Sequence, residues 1–291
     1  MLQRQLGHML VNRIIEWDEP NFDPMTFFPQ TTPEDWEPHQ AWLDPISGYL
    51  TLPIQSFLVR TRHHTILVDT CVGDYKARQG GLFPPSWHMT TSGVFLHKLA
   101  AVRVHPQEID YVLCTHLHAD HVGWNTRLVD GRWVPTFPHA RYIMSRLELE
   151  SLQVLHKESP RASLIDSVLP VVEAGQAVLV TNDYAVDDEV WLEPTPGHTI
   201  DHVSIRLASN GSHAIITGDM IHSPVQCIEP QWVVRPDFDP SLAGRTRRAF
   251  LERYCDTDTL ICATHFPSPS FGHIVPHGDM FQFAFENGAD A

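Results

Sequence analysis

The chain has 291 residues, of which 43% are hydrophobic, and carries a formal net charge of −15. This acidic balance argues against nucleic-acid binding, which requires clustered lysine and arginine, and no apolar run approaches the roughly 20 residues of a membrane-spanning helix. The N-terminus lacks the apolar core of a signal peptide and the five cysteines lack a C-x-x-C spacing, so we expect a cytoplasmic protein without a disulfide framework. The length suits one large or two small domains. Because no low-complexity linker divides the sequence, we predict a single domain over residues 1–291.

A first strand is predicted at His8–Glu16, and the segment of residues 17–45 that follows is rich in proline and aromatic side chains. Its prolines stand at positions 20, 24, 29, 33, 38 and 45, a density that excludes regular strand and most helix. Thr32–Trp36 could still begin one short turn. Long aromatic loops of this kind serve as active-site lids or as interface arms. We therefore predict that residues 17–45 form an N-terminal lid or a homodimer interface, with Phe27 and Phe28 as substrate contacts. Simple packing over the core is the alternative.

Further elements follow with the periodicities of short strands and amphipathic helices. Strands are predicted at Gln55–Arg60, Thr65–Asp69, Ile109–Cys114, Ala140–Met144, Ala177–Val180 and Glu189–Leu192. Helices are predicted at Val94–Val102, Ser145–Lys157 and Asp239–Tyr254, the last two with Ser145 and Asp239 as N-caps. Asp69 ends its strand where a carboxylate either supports a metal ligand or caps a turn.

The strand at Ile109–Cys114 leads into an H-x-H-x-D-H motif formed by His116, His118, Asp120 and His121. Three imidazoles and a carboxylate are costly to crowd together unless a cation lies between them, and both groups are natural ligands of divalent metals. In an extended loop His116 and His118 point to one side, whereas Asp120 and His121 begin a second group. This spacing predicts two adjacent metal ions.

Three later segments repeat the pattern of an apolar strand that ends in a ligand-type residue. Trp191–Glu193 leads to His198, Ala214–Thr217 leads to Asp219, and Thr259–Ala263 leads to His265. In open α/β sheets, sites gather outside the carboxyl ends of strands. We therefore expect these residues to converge with the H-x-H-x-D-H motif.

The ordered set T-H-L-H-A-D-H, P-G-H-T, G-D and T-H resembles the metallo-β-lactamase superfamily over roughly residues 50–275. This resemblance implies an α/β fold, an αββα sandwich of two mixed β-sheets flanked by helices. It also implies two divalent metal ions, which we expect to be Zn²⁺. His116, His118 and His198 would hold one ion, Asp120, His121 and His265 would hold the other, and Asp219 would bridge them.

Within the superfamily, the sequence looks most like the quorum-quenching lactonases and the methyl-parathion-hydrolase-like enzymes. The similarity lies in the aromatic N-terminal segment, in H-V-G-W-N from His121 and in G-D-M-I-H ending at His222. The N-acyl-homoserine lactonases carry a tyrosine three residues after the bridging aspartate, where this chain has His222. This departure favours a broader range of lactones, carboxylic esters or organophosphates.

The implied mechanism is hydrolysis of a small molecule. Two metals about 3.5–4 Å apart can share a water and lower its pKa towards 7, which supplies hydroxide at neutral pH. We predict that Asp120 orients this nucleophile. His222 either protonates the leaving alkoxide, hydrogen-bonds the oxyanion, or is simply packed. Trp124 and Phe266, with the aromatic residues of the lid, would form an apolar wall for the substrate, although core packing is the alternative for each.

Two other activities of the same superfamily compete with this interpretation. These are thioester hydrolysis of the glyoxalase II type and persulfide oxidation at a mononuclear iron site. The full set of seven ligand-type residues favours a dinuclear hydrolase. A non-catalytic zinc-binding protein is less favoured, because structural zinc sites are closed and usually rich in cysteine.

Overall fold

A computed structural model of the protein describes residues 3–286. The strands are β1 (Gln3–Leu6), β2 (Met9–Trp17), β3 (Pro20–Phe22), β4 (Leu50–Thr51), β5 (Ile54–Arg60), β6 (Thr65–Val68), β7 (Tyr111–Leu113), β8 (Thr126–Val129), β9 (Arg132–Pro135), β10 (Arg141–Ser145), β11 (Ala177–Val180), β12 (Val190–Pro194), β13 (Val203–Ser209), β14 (Ser212–Ile216), β15 (Leu260–Cys262), β16 (Phe271–His277) and β17 (Met280–Phe285).

The α-helices are α1 (Pro24–Phe27), α2 (Val94–Ala101), α3 (Arg146–Glu158), α4 (Leu169–Glu173), α5 (Val225–Ile228) and α6 (Pro240–Tyr254). A π-helical turn at Leu164–Val168 precedes α4, and 3₁₀ helices lie at Pro33–Trp42, Pro85–Trp87, Pro106–Glu108, Gly123–Asn125 and Gly218–Met220. Within residues 3–286, none of these helices combines the length and the apolar composition that a membrane crossing needs.

The described chain divides into two compact units. The first comprises Gln3–Trp17 and Ile54–Tyr184, and the second comprises Asp18–Pro53 and the chain from Ala185 onward. Each unit contains one large mixed β-sheet and its own helices. The predicted α/β class with two mixed sheets is therefore correct.

The large sheet of the first unit has the strand order β1-β2-β5-β6-β7-β10-β11. Strands β6, β7, β10 and β11 run parallel, whereas β1, β2, β5 and β6 pair antiparallel. The central strands β6 and β7 are short, apolar and mostly buried, as central parallel strands are. Because these two strands are parallel, Asp69 after β6 and His116 after β7 leave the sheet at the same edge.

The large sheet of the second unit has the strand order β12-β13-β14-β15-β16-β17. Strands β14 and β15 are parallel, and the other neighbours are antiparallel. Strand β12 points in the same direction as β14, because β13 lies between them and is antiparallel to both. The segments after β12, β14 and β15 therefore leave at one edge, and they carry His198, Asp219 and His265.

Helix α6 lies between β14 and β15 in the chain, and it begins where the sequence predicts. The Asp239 side chain accepts a hydrogen bond from the Leu242 amide at 2.9 Å, and Pro240 occupies the first turn, where no amide proton is needed. Helix α3 of the first unit has the predicted cap as well, since the Ser145 hydroxyl accepts from the Glu148 amide at 3.3 Å.

The N-terminal proline-rich segment contains more regular structure than its composition predicted. Strand β3 pairs with β4, α1 forms one helical turn, and a 3₁₀ helix covers Pro33–Trp42. The turn expected at Thr32–Trp36 is present as the start of the 3₁₀ helix, but the exclusion of regular strand and most helix elsewhere in the segment was too strict. Pro24 and Pro33 begin their helices, where a missing amide proton removes no hydrogen bond. Pro20 likewise stands at the first residue of a short strand.

The loop after β6 and the H-x-H-x-D-H loop of the first unit are joined by backbone hydrogen bonds, and at Gly123 they are too close for a side chain. The Gly123 amide donates to the Cys71 carbonyl at 2.7 Å, and the Thr70 amide donates to the His121 carbonyl at 2.6 Å. A Cβ atom at Gly123 would lie 1.8 Å from the Val72 carbonyl oxygen, which belongs to rigid backbone. Glycine at this position is therefore what allows the loop after β6 to contact the H-x-H-x-D-H loop.

We predict that Gly123→Ala separates these loops and lowers the free energy of unfolding by about 3 kcal/mol or more, because the clash is with backbone. Gly244→Ala in α6 is a matched control, since its Cβ would meet no atom closer than 3.7 Å. Alanine in a helix interior should be neutral or stabilise by up to about 1 kcal/mol. Urea unfolding of both variants measures the difference, and equal stabilities would contradict the steric argument.

Candidate metal-binding site

The H-x-H-x-D-H loop brings its four ligand-type side chains together in the first unit. The ring centroid of His116 lies 4.6 Å from that of His118 and 4.1 Å from that of His121. The Asp120 Oδ2 atom lies 3.6 Å from the His121 Nε2 atom. Two of these imidazoles are buried and two side chains are half-buried, so the group can bind an ion and still meet a small molecule.

Asp69 stands directly behind this loop and orients it. Its carboxylate accepts hydrogen bonds from the Thr115 amide and hydroxyl, both at 2.8 Å, and pairs with the His121 Nδ1 atom at 2.9 Å. A carboxylate accepts the Nδ1 proton, which leaves the Nε2 lone pair of His121 available to a metal. The Asp69 backbone has a left-handed φ of 58°, which turns the chain out of β6 toward the loop.

In the second unit, one buried carboxylate is surrounded by three imidazoles. The Nε2 atoms of His198 and His222 lie 3.3 and 3.2 Å from Asp219 Oδ2, and the Nε2 atom of His265 lies 2.9 Å from Asp219 Oδ1. All four side chains are buried. Neutral imidazoles and a carboxylate with converging atoms are the donor set that divalent ions such as Zn²⁺ prefer, so these residues fit a metal.

The Nδ1 atoms distinguish the predicted ligands from His222. His198 Nδ1 pairs with the Asp237 carboxylate at 2.8 Å, and His265 Nδ1 pairs with the Pro53 carbonyl at 2.9 Å. Metal-binding histidines almost always have such a partner behind the ring. Among residues 3–286, the buried Nδ1 atom of His222 has no hydrogen-bond partner, so His222 is not prepared as a ligand in the same way.

The protonation of these rings follows their surroundings. Burial opposes protonation of His198, but the hydrogen bonds and charges of Asp219 and Asp237 outweigh it and raise the pKa of His198 to about 9. Burial would raise the pKa of Asp237, but its bond with His198 and the nearby positive charges hold that pKa below its usual value. For His222, burial dominates and lowers the pKa to about 4. His222 is therefore neutral at neutral pH.

Two residues that support the second unit's ligands were not found from the sequence. Asp237 supports His198, as described above, and the buried His202 accepts a hydrogen bond from the Asp219 amide through Nε2 at 2.9 Å. The Nδ1 atom of His202 then faces the Thr195 hydroxyl at 2.9 Å. His202 follows His198 by four residues, a spacing that could have indicated it, whereas Asp237 lies in a loop with no recognisable motif.

The predicted substrate-contact aromatics have different surroundings. Phe27 packs edge-on against His222, with ring centroids 5.5 Å apart. Phe28 packs between Trp36 and Trp232, and Phe266 is fully buried in the hydrophobic core of the second unit. Of the predicted aromatic residues of the second unit, Phe27 is the one that the structure places against a candidate catalytic side chain.

Trp124, in the first unit, is buried and joins Glu16 in holding two loops together. Its indole Nε1 donates to Glu16 Oε1 at 2.6 Å, and its ring stacks on Phe95 at 5.8 Å. The other Glu16 oxygen accepts from the Val72 amide at 2.8 Å. Burial raises the pKa of Glu16 to about 7. Glu16 therefore connects the loop after β6 to the loop that carries His121.

A family model supports the sequence prediction. The model of the Metallo-beta-lactamase superfamily matches residues 50–265, which include all seven predicted ligands. The chain belongs to the metallo-beta-lactamase superfamily, and the predicted fold of two mixed sheets with helices is confirmed.

Within that superfamily the chain is similar to N-acyl homoserine lactonases. One from Bacillus sp. is 29% identical over 174 residues, which cover 57% of this chain and 63% of that enzyme. The N-acyl homoserine lactonase AiiA of Bacillus thuringiensis subsp. kurstaki is 27% identical over 201 residues, which cover 67% of this chain and 73% of AiiA. The match to the Bacillus sp. enzyme thus spans less than two thirds of its length.

Solved structures share the fold over nearly the whole chain. AidC, a dizinc quorum-quenching lactonase in complex with the product N-hexnoyl-L-homoserine, superimposes with a TM-score of 0.79 at 20% identity and covers 99% of this chain and 98% of AidC. The hydrolase AbOPH of the beta lactamase superfamily gives a TM-score of 0.79 at 23% identity, with 98% of both chains covered. These likenesses extend the family's fold to the N-terminal segment that the family model does not cover.

The raised pKa of Glu16 predicts how stability depends on pH. Its pKa is 4.5 in the unfolded chain and about 7 in the folded protein, so the folded state holds this proton more tightly. The stabilising contribution is fully present below pH 4.5 and is lost as the pH rises through about 7, up to about 3 kcal/mol in total.

Glu16→Gln should remove this dependence, so that the free energy of unfolding falls less between pH 5 and pH 8 than in the wild type. Urea unfolding of metal-free protein measures it without a contribution from pH-dependent metal binding. Glu150→Gln on the exposed face of α3 is the control and should keep the wild-type slope. Identical slopes for Glu16→Gln and the wild type would contradict the assignment.

Proposed function

We propose that the protein is a dinuclear metal-dependent hydrolase that opens lactones or cleaves carboxylic esters. The observation that carries the proposal is the environment of Asp219, whose carboxylate meets three buried imidazole Nε2 atoms at 2.9–3.3 Å. Two of those imidazoles, His198 and His265, are oriented from behind by acceptors. Such oriented, buried donors are costly to assemble without a cation, and the family to which the chain belongs includes the lactonases to which it is similar.

The proposed ligands form two groups that share one carboxylate. One ion would be held by His116, His118, His198 and Asp219, and the other by Asp120, His121, Asp219 and His265. The ions are expected to be Zn²⁺, because the donors are imidazoles and carboxylates. Two bound divalent ions supply Lewis-acid activation of a water and of a carbonyl oxygen near neutral pH.

Asp120 is the proposed proton acceptor for the attacking water. Its side chain is 20% exposed, in contrast to the buried Asp219 and Asp69. Asp120 is therefore the acidic member of its loop that solvent and substrate can reach. A carboxylate that both binds an ion and accepts a proton orients the nucleophile toward the carbonyl carbon.

His222 is the proposed hydrogen-bond donor to the developing oxyanion. Burial lowers its pKa to about 4, so the ring is neutral and would be a poor proton donor to an alkoxide. A neutral imidazole still carries one N–H, which can stabilise negative charge on a carbonyl oxygen. The ring lies parallel to that of His265 at 5.5 Å and edge-on to Phe27, which fixes its orientation.

The substrate class follows from the relatives and from Phe27. N-acyl homoserine lactonases hydrolyse a lactone, and the apolar ring of Phe27 beside His222 suits an acyl or aryl group next to the reacting carbonyl. Phosphotriesters form a further proposed class of substrate. A homodimer interface within residues 17–45 and a cytoplasmic location stay predictions.

We expect close to two divalent ions per chain, and chelation should abolish hydrolysis of lactones and aryl esters. Asp219→Asn should lower metal content and decrease kcat/KM more than about 100-fold, because it weakens the carboxylate that both groups share. Asp188→Asn, an exposed change in the same unit, should behave as the wild type. Elemental analysis and a screen of lactones, esters, phosphotriesters and thioesters test the proposal. A single iron per chain with consumption of persulfide would refute it.

His222→Ala should keep both ions and lower kcat about 10²–10³-fold on alkyl lactones and on aryl esters alike, because both form an oxyanion at the carbonyl. His222→Gln retains an N–H donor and should recover part of this activity. The comparison requires kcat for both substrate types and the metal content of each variant. A loss confined to alkyl substrates would instead assign His222 as the acid that protonates the leaving group.

A further inference from the structure

Arg247 of α6 is a buried cation next to the second unit's ligands, and no part of the proposed reaction uses it. Its side chain has no solvent exposure. The guanidinium Nε donates to the Met220 carbonyl at 3.0 Å, and one Nη donates to the carbonyls of Pro230 and Trp232 at 2.8 and 2.7 Å. Burying a guanidinium is costly unless its donors are paired, and the hydrogen bonds to three backbone carbonyls offset that cost. The same bonds fix the position of the backbone that carries these carbonyls.

The backbone that Arg247 binds carries two residues of the candidate site. Met220 directly follows Asp219, and its carbonyl is fixed by Arg247. Gln226 adds a second connection, because its amide donates to the Trp232 carbonyl at 2.7 Å and its carbonyl accepts from the His222 amide at 2.7 Å. The positions of Asp219 and His222 are thus coupled to the same buried guanidinium.

The other end of the Arg247 guanidinium lies near Asp237, the residue that orients His198. Its remaining Nη lies 4.0 Å from Asp237 Oδ2, while Asp237 Oδ1 pairs with His198 Nδ1 at 2.8 Å. The Asp237 side chain is fully buried, and the buried guanidinium of Arg247 is a neighbouring positive charge. The Asp237 carboxyl group accepts at His198 Nδ1 and thereby directs the Nε2 atom of that ring toward Asp219.

We propose that Arg247 is a positioning residue that sets, through Met220 and Asp237, the geometry of Asp219 and His198 and thereby the residence time of the metal they hold. The inference rests on the proposed metal site and adds a residue to it. A lysine cannot replace this arginine, because a single ammonium cannot span two separated sets of carbonyls and a carboxylate as the planar fork does.

The test is Arg247→Lys in the metal-loaded protein, with Arg248→Lys as matched control. Arg248 is the next residue of α6, is half exposed and pairs with Glu252. Metal release is followed with a chromogenic chelator in excess. Arg247→Lys should release the ion held by both Asp219 and His198 about tenfold faster, the lower end of the effect of residues that support metal ligands. It should affect the other ion less, because that group shares only Asp219. Arg248→Lys should match the wild type.

A spectroscopic measurement separates positioning from a general loss of stability. In cobalt-substituted protein, Arg247→Lys should shift the visible ligand-field bands at temperatures where circular dichroism shows the wild-type fold, and Arg248→Lys should not. Should Arg247→Lys fail to fold, Asp237→Asn replaces it and should likewise release one ion about tenfold faster.

The outcomes separate this inference from the proposed function. A wild-type protein that binds no divalent ion would refute the metal site itself. If the wild type binds two ions but Arg247→Lys shows wild-type release rates and cobalt spectra, the role of Arg247 is refuted and the metal site stands. Where Asp237→Asn replaces Arg247→Lys, wild-type release rates in that variant have the same meaning.

Discussion

The hydrogen bond from an imidazole Nδ1 atom to a buried acceptor is the interaction on which the candidate site depends. A histidine ligand must present the Nε2 lone pair, and an acceptor behind Nδ1 holds the remaining ring proton there and fixes the orientation of the ring. Asp69 provides that acceptor for His121, Asp237 for His198 and the Pro53 carbonyl for His265. Asp69 and Asp237 also accept hydrogen bonds from backbone amides, and the Pro53 acceptor is a backbone carbonyl. The fold of the backbone therefore determines the orientation of the three rings.

The strands determine where these acceptors and ligands stand. In the first unit, β6 and β7 are parallel neighbours, so Asp69 and the H-x-H-x-D-H loop emerge at the same sheet edge. In the second unit, β12, β14 and β15 share one direction, so their carboxyl ends bring three ligand-type residues to one edge. Short apolar strands are enough to build this arrangement, because each strand only needs to end with one polar residue at the edge of its sheet.

The ligand-type residues at the strand ends were predictable because the pattern that indicates them lies within one short segment. The residues that support those ligands were not predictable, because they lie far from them in the sequence. An apolar run followed by a ligand-type residue identifies Asp219 or His265 within one segment, but the bond between His198 and Asp237 joins residues 39 positions apart. The hydrogen bond between Trp124 and Glu16 is another remote contact, because it joins residues 108 positions apart. The role of Trp124 as a substrate contact stays a prediction. The alternating apolar residues Val203, Ile205 and Leu207 of β13 are a local signal of a strand that was not among the predicted elements.

The loop of residues 234–239 connects α1 to the proposed ligand His198 within the second unit. Arg235 binds α1 twice, through its side chain to the Thr26 carbonyl and through its amide to the Phe27 carbonyl, both at 2.8 Å. Three residues further on, the Phe238 amide donates to the His198 carbonyl at 3.0 Å, and Asp237 holds the His198 ring. A shift of α1 would therefore move Phe27 against His222 and, through the same short loop, disturb a ligand. The position of α1 and that of the proposed ligand His198 are therefore coupled, and backbone hydrogen bonds as well as aromatic packing hold α1 in place.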